Sequence, residues 1–218
     1  MTTSHRWMLY LLRALFAAVL LFEFANWAGI LRFTLTFSWF GLIVTAAVLW
    51  AIVEFLWRKL GELHAYRKGW LLFVIVLSLM IDLLGDLFRW YETFPWYDQL
   101  AHFLGGVSVA IAVVIVLRAA NILPDISVQP HLSFAMQLLI VAAFATLFGV
   151  FYELEEYAET VILKNNRLGD MLDTPNDLLL NLLGSIAGAT LALRNVHQPI
   201  TRFVKKCVAY CVALVKQK

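Results

Sequence analysis

An all-α fold, a polytopic transmembrane helical bundle of about six spans with a C-terminal amphipathic interfacial helix, is predicted by three observations. Apolar residues make up 62% of the 218-residue chain and charged residues only 15%. The apolar residues gather into runs of about twenty, the length at which a helix crosses the hydrocarbon core of a bilayer. Lysine, arginine and the aromatic residues tryptophan and tyrosine collect in the short connections between these runs, as they do at membrane interfaces. No linker-like or low-complexity segment and no internal repeat divides the chain. Residues 1–200 therefore read as one bundle and 201–218 as a cytoplasmic amphipathic tail.

The first apolar run, Trp7 to Leu31, is too long for a signal peptide and carries Arg13 and Glu23. It reads as a retained span, with Arg13 snorkelling back toward Arg6 and Glu23 interfacial. The second, Phe33 to Trp57, ends in Glu54 and Arg58, whose spacing of four predicts a helix-end ion pair. Basic residues Arg58, Lys59, Arg67 and Lys68 frame the next connection. The third span, Gly69 to Leu87, brings Asp82 and Asp86 onto one face near its end, and Arg89 is placed to pair with Asp86. An aromatic connection broken by Pro95 leads to the fourth span, Asp98 to Ala119.

The fifth span begins near Leu132 and runs to Tyr157, ending in an acidic cluster of Glu153, Glu155, Glu156 and Glu159. Glu155 and Glu159 point away from the Glu153 and Glu156 face and are expected to be solvated. The sixth, Pro175 to Leu193, is preceded by Asp173 and Thr174. Thr174-Pro175-Asn176-Asp177 fits a capping box, an alternative to Asp177 belonging to a site. Gly184 and Gly188 form a GxxxG pair, which predicts close helix packing. In the tail, Arg202 to Lys216, apolar and basic residues segregate to opposite faces, as in a helix lying on an anionic membrane. Cys207 and Cys211 fall on its apolar face and read as buried thiols.

Six spans put both termini on one side. Twelve of the 17 lysines and arginines lie on that side; Arg32, Arg89, Lys164 and Arg167 lie on the other, and Arg13 is within the first span. The positive-inside rule makes the terminal side cytoplasmic. Asp82, Asp86, Asp98, His102, Glu153, Glu156, Asp173, Asp177 and Asn181 then all converge at the outer end. Of the five histidines, only His102 is assigned there.

Helical periodicity puts Asp98 and His102 one turn apart on one face, Glu153 and Glu156 at i, i+3, and Asp173, Asp177 and Asn181 at successive steps of four. Three helices thus offer polar stripes to one pocket, while Gly105 and Gly106 leave room for another backbone below Asp98 and His102. Several carboxylates close together repel one another unless a cation or shared protons offset their charge. Carboxylates with one imidazole suit a divalent metal ion. The expected metal ligands are Asp98, His102, Glu153, Glu156, Asp173 and Asp177, and His102 with Glu153 is the expected catalytic pair. The ionic stripe can equally be interfacial.

Asp98-x-x-x-His102-Phe103-x-x-Gly106, Tyr152-Glu153-x-x-Glu156 and Asp173-Thr174-x-x-Asp177 resemble the signature blocks of the YjdF-like family of bacterial inner-membrane proteins. The order ending in Asp177, Asn181 and Gly184 is more distantly similar to VanZ-like proteins, although Glu156 stands where their pattern has glutamine. The resemblance covers roughly Gly69 to Leu193. It implies a multi-pass plasma-membrane protein and supports the six acidic and histidine positions as a set, without supplying a reaction.

Three functions remain open from sequence: an outward-facing enzyme acting on a lipid or cell-envelope substrate, a cation or proton transporter, and a structural or accessory membrane protein. No HExxH, serine-nucleophile motif or phosphate-cradling loop is present. The lipid bilayer is the expected partner, with no nucleic acid; homo-oligomerisation is undetermined. The inner halves of the last three spans carry little polarity beyond Gln137 and Thr190, which disfavours a conduit.

Overall fold

The computed structural model describes residues 3–33, 39–59, 65–123, 133–164, 168–169 and 171–194. Its elements are α1 (Thr3–Trp27), α2 (Trp39–Lys59), α3 (Ala65–Leu87), α4 (Trp90–Thr93), α5 (Tyr97–Ala119), α6 (Phe134–Leu163) and α7 (Asp173–Arg194). The six long helices fall on the six predicted spans, and no strand occurs among the described residues. Three of them, α5, α6 and α7, are long and apolar enough to cross a membrane, and Trp39–Phe55 within α2 is a shorter apolar stretch. The tail, with Cys207 and Cys211, lies outside the described residues.

The tightest pair is α5 with α7; α6 packs on both, α3 on α5, and α1 joins α2 to α3. Small residues explain the central contact. A Cβ on Gly106 would stand 2.5 Å from the Asn181 carbonyl oxygen, one on Gly184 would collide with the Phe103 carbonyl, and one on Gly188 would meet that of Val107. The GxxxG pair therefore does pack helix on helix, as its spacing predicts. Beneath it, Ala110, Val113, Val114, Leu117, Val141, Ala145, Ala189 and Leu193 form an apolar core. A second core joins Phe16 of α1, Val53 of α2 and Val76 of α3, with Phe16 stacked on Trp50 at 5.7 Å.

Several local expectations are corrected. Arg13 does not turn back toward Arg6: its guanidinium grips Glu54 of α2 in two hydrogen bonds of 2.7 and 2.9 Å, and Trp50 Nε1 donates to the same carboxylate. Glu54 is thus matched by a fork-shaped partner on the neighbouring helix, a better geometry than the helix-end pair with Arg58. Glu23 is buried, on the face that α1 turns toward the bundle. Arg89 occupies a left-handed conformation in the turn after α3 and pairs with Glu92 rather than Asp86, which is buried.

Helix α6 starts at Ser133, whose side chain accepts from the Met136 N–H. It runs past Tyr157 to Leu163, so Glu159 is carried inside the helix and buried instead of solvated. The Leu168 N–H donates to Thr160 Oγ1 in the last turns of this helix. Helix α7 begins at Asp173, a turn before Asp177. Asp177 is therefore already inside the helix and turns toward His102, not back to a cap.

Candidate functional site

The first halves of α2, α5 and α7, the second half of α3 and the middle of α6 line a cavity of about 490 Å³. His102 is its hub. It stands one turn into α5, where Gly106 lets α7 approach closely enough for side chains of both helices to meet. The ring edge carrying Nε2 faces two carboxylates, Asp98 Oδ1 at 3.5 Å and Asp177 Oδ2 at 3.7 Å. The other edge, at Nδ1, faces Glu153 Oε1 at 3.6 Å and the Asn181 side-chain amide at 3.2 Å. Tyr152 lies edge-on to the ring, with centroids 5.9 Å apart.

These groups are removed from solvent to different degrees. The side chains of Asp177, Glu153 and His102 are 3, 5 and 9% exposed, whereas Asp98, at the mouth, is 36% exposed. Asp177 Oδ1 and both Glu153 oxygens lack a hydrogen bond among the described residues. Buried ionisable groups left in this state are costly unless a counter-charge is present. With an effective dielectric of about 20, two carboxylates at the 4.8 Å limit of this group repel by about 3.5 kcal/mol.

One ligand atom each from Asp98, His102 and Asp177 lies within 4.8 Å of the others. Metal–ligand distances of about 2.1 Å in a tetrahedron place neighbouring ligand atoms about 3.4 Å apart. The two separations from Nε2 are close to that edge. A metal at Nε2 requires the imidazole proton at Nδ1, where Glu153 Oε1 is placed to accept it. Among the six expected ligands, the structure brings Asp98, His102 and Asp177 into a compact triad and sets Glu153 behind the ring. Glu156 and Asp173 line the same cavity but stand outside the triad.

The cavity also takes in Asp82, which sequence left between a helix-end ion pair and a site. Its carboxylate accepts from the hydroxyls of Tyr91 and Tyr152. Burial, together with the adjacent Asp82 charge, pushes the Tyr91 phenol above its ordinary range, so it remains a donor. Tyr97 donates to the Ile81 carbonyl at 2.7 Å, tying the start of α5 to α3. Asn181 is the neighbour of His102 that sequence placed on the polar stripe without giving it a role. Its step of four from Asp177 was the available signal, as was Gly149, which leaves room for the Asn181 side chain.

Residues 14–198 match a family described as predicted membrane protein, DUF2238. The chain belongs to the DUF2238 family. The match covers every element that builds the site and agrees with the YjdF-like resemblance, YjdF being a member; it does not extend to VanZ-like proteins. No curated protein and no solved structure matches this DUF2238 chain.

Proposed function

We propose that this DUF2238 protein is a multi-pass plasma-membrane protein of the YjdF-like type that holds a divalent cation between Asp98, His102 and Asp177. The observation that carries the reading is the Nε2 edge of a buried histidine facing two carboxylates, with a third carboxylate behind Nδ1. Glu153 is then a positioning residue, fixing the ring tautomer and orientation, rather than a metal ligand. Three protein ligands leave a coordination position open to water or substrate, the arrangement of metal sites that do chemistry. In that role the ion would polarise a substrate oxygen or lower the pKa of bound water.

The basic residues gathered at the opposite ends of the helices support an outward-facing site with both termini in the cytoplasm. A lipid or cell-envelope substrate suits a cavity at that level. The apolar core beneath it, from Ala110 and Val141 down to Leu117 and Leu193, favours a closed site over a conduit for ions. Elemental analysis of protein purified without chelator tests the proposal. A stoichiometric divalent ion in the wild type, lost in His102→Ala and Asp177→Asn, is expected; equal sub-stoichiometric content in all three overturns it. Lipid turnover by the wild type, absent in His102→Ala, would mark an enzyme.

A further inference from the structure

Glu23 of α1 takes no part in the site around His102. It is 3% exposed, and its Oε2 has no hydrogen-bond partner among the described residues. Other carboxylates of the bundle are better provided for. Glu54 is gripped by Arg13, and Asp82 accepts the Tyr91 hydroxyl on one oxygen and the Tyr152 hydroxyl on the other.

Helix register shows what Glu23 faces. Helices α1 and α3 pack together and share an apolar core in which Phe16 and Val76 are buried and Ile75 lies against them. Glu23 is seven residues beyond Phe16 and Asp82 seven beyond Ile75, so each stands two turns, about 10 Å, past that core. There the two carboxylates act on one another electrostatically, yet no hydrogen bond joins them: the Asp82 oxygens are engaged by the phenols, and Glu23 Oε2 is left open. Tyr152 separates this pair from the triad, its ring edge-on to His102 and its hydroxyl 3.3 Å from Asp82. Asp82 and Tyr91 line the cavity, which gives an ion a way to the pair.

Like charges buried side by side are costly unless a cation or a shared proton offsets them. A shared proton would lie in a hydrogen bond between the two carboxyl groups, which this pair does not make. Asp82 already has two donors, so the excess that remains is the single charge of Glu23, and one monovalent cation balances it. Oxygen donors suit hard cations, and charged carboxylates are high-field ligands that favour the smaller alkali ion. We infer that a sodium ion binds between Glu23 of α1 and Asp82 of α3. This site lies beyond the cation reading of the His102 triad and does not depend on it.

The test uses the full-length protein in lipid nanodiscs, kept in chelator to remove divalent ions and dialysed against radiosodium, with choline chloride holding the ionic strength constant. A stoichiometric sodium ion is expected in the wild type, reduced about tenfold or more in Glu23→Gln, which keeps the size of the side chain. Asp82→Asn removes the facing charge and reads the same loss if Glu23→Gln does not fold. Asp177→Asn is expected to retain sodium as the wild type does. Sodium bound equally by Glu23→Gln and the wild type overturns the inference, and so does its loss in Asp177→Asn, which would put the ion at the triad. No bound sodium, together with an infrared carboxylic-acid band that vanishes in Glu23→Gln, overturns it in favour of a proton. Divalent metal measured on parallel samples without chelator separates the two readings. Divalent metal without sodium overturns this inference alone, and sodium without divalent metal upholds it while overturning the cation reading of the triad.

Discussion

Replacing Asp177 by asparagine keeps the shape of the side chain and removes the charge that faces Nε2 of His102 from α7. If Asp177 is a metal ligand, its loss should cost more than the loss of an outer partner, which lowers metal affinity about 10–100-fold, or about 1.4–2.8 kcal/mol. The consequence can be read as thermal stability. A metal present at about 100 times its dissociation constant stabilises the folded protein by about 2.7 kcal/mol. A variant binding about 100-fold more weakly retains only about 0.4 kcal/mol of that at the same concentration. Thermal unfolding in detergent, with metal and with chelator, should therefore show a large metal-dependent shift for the wild type and almost none for Asp177→Asn. Glu153→Gln, which disturbs the ring without removing a ligand, should fall between them. A metal-dependent shift in Asp177→Asn equal to that of the wild type would refute the assignment of Asp177 to the first coordination sphere.

Other expectations concern the frame that holds the site. Gly184→Ala puts a Cβ on the Phe103 carbonyl and should destabilise the α5–α7 contact by about 1–3 kcal/mol, read as a lower melting temperature and weakened metal retention together. Glu54→Gln removes the carboxylate that the Arg13 guanidinium grips with two hydrogen bonds and should cost about 1.5–3 kcal/mol. The double variant Arg13→Leu/Glu54→Leu should recover most of that loss in the same melting assay. Tyr152→Phe removes one of the two phenol donors to Asp82 and should cost about 1 kcal/mol, with little change in metal content. A cysteine in place of Met171, which is 89% exposed just before α7, should react with an impermeant thiol reagent added from outside if the topology is as proposed.

The helical bundle was legible because apolar runs, their lengths and their basic flanks report solvent preference directly. Helix α4 was not, since four residues between Arg89 and Phe94 carry no periodicity to read. The i, i+4 pairs Asp98–His102 and Asp177–Asn181 were also legible, because one helix turn fixes their common face. What sequence could not supply was the relative rotation and separation of helices. Glu153, Glu156, Asp173 and Asp177 look equivalent in the chain. Only the close approach of α5 and α7 at Gly106 and Gly184 makes Asp177 the carboxylate that reaches Nε2 and leaves Asp173 at the cavity wall. The Arg13–Glu54 pair, separated by 41 residues, and the burial of Glu23 and Glu159 escaped for the same reason. Each depends on which side of a helix faces a neighbour, a property that local spacing of polar residues does not encode.

The most direct measurement is pulsed electron paramagnetic resonance on the protein loaded with Mn²⁺. Echo modulation from an imidazole nitrogen bonded to the metal is expected in the wild type, disappearing in His102→Gln and persisting in His5→Gln, a histidine assigned to the opposite side of the membrane. Bound Mn²⁺ without nitrogen modulation, or modulation unchanged in His102→Gln, would contradict a cation held between Asp98, His102 and Asp177.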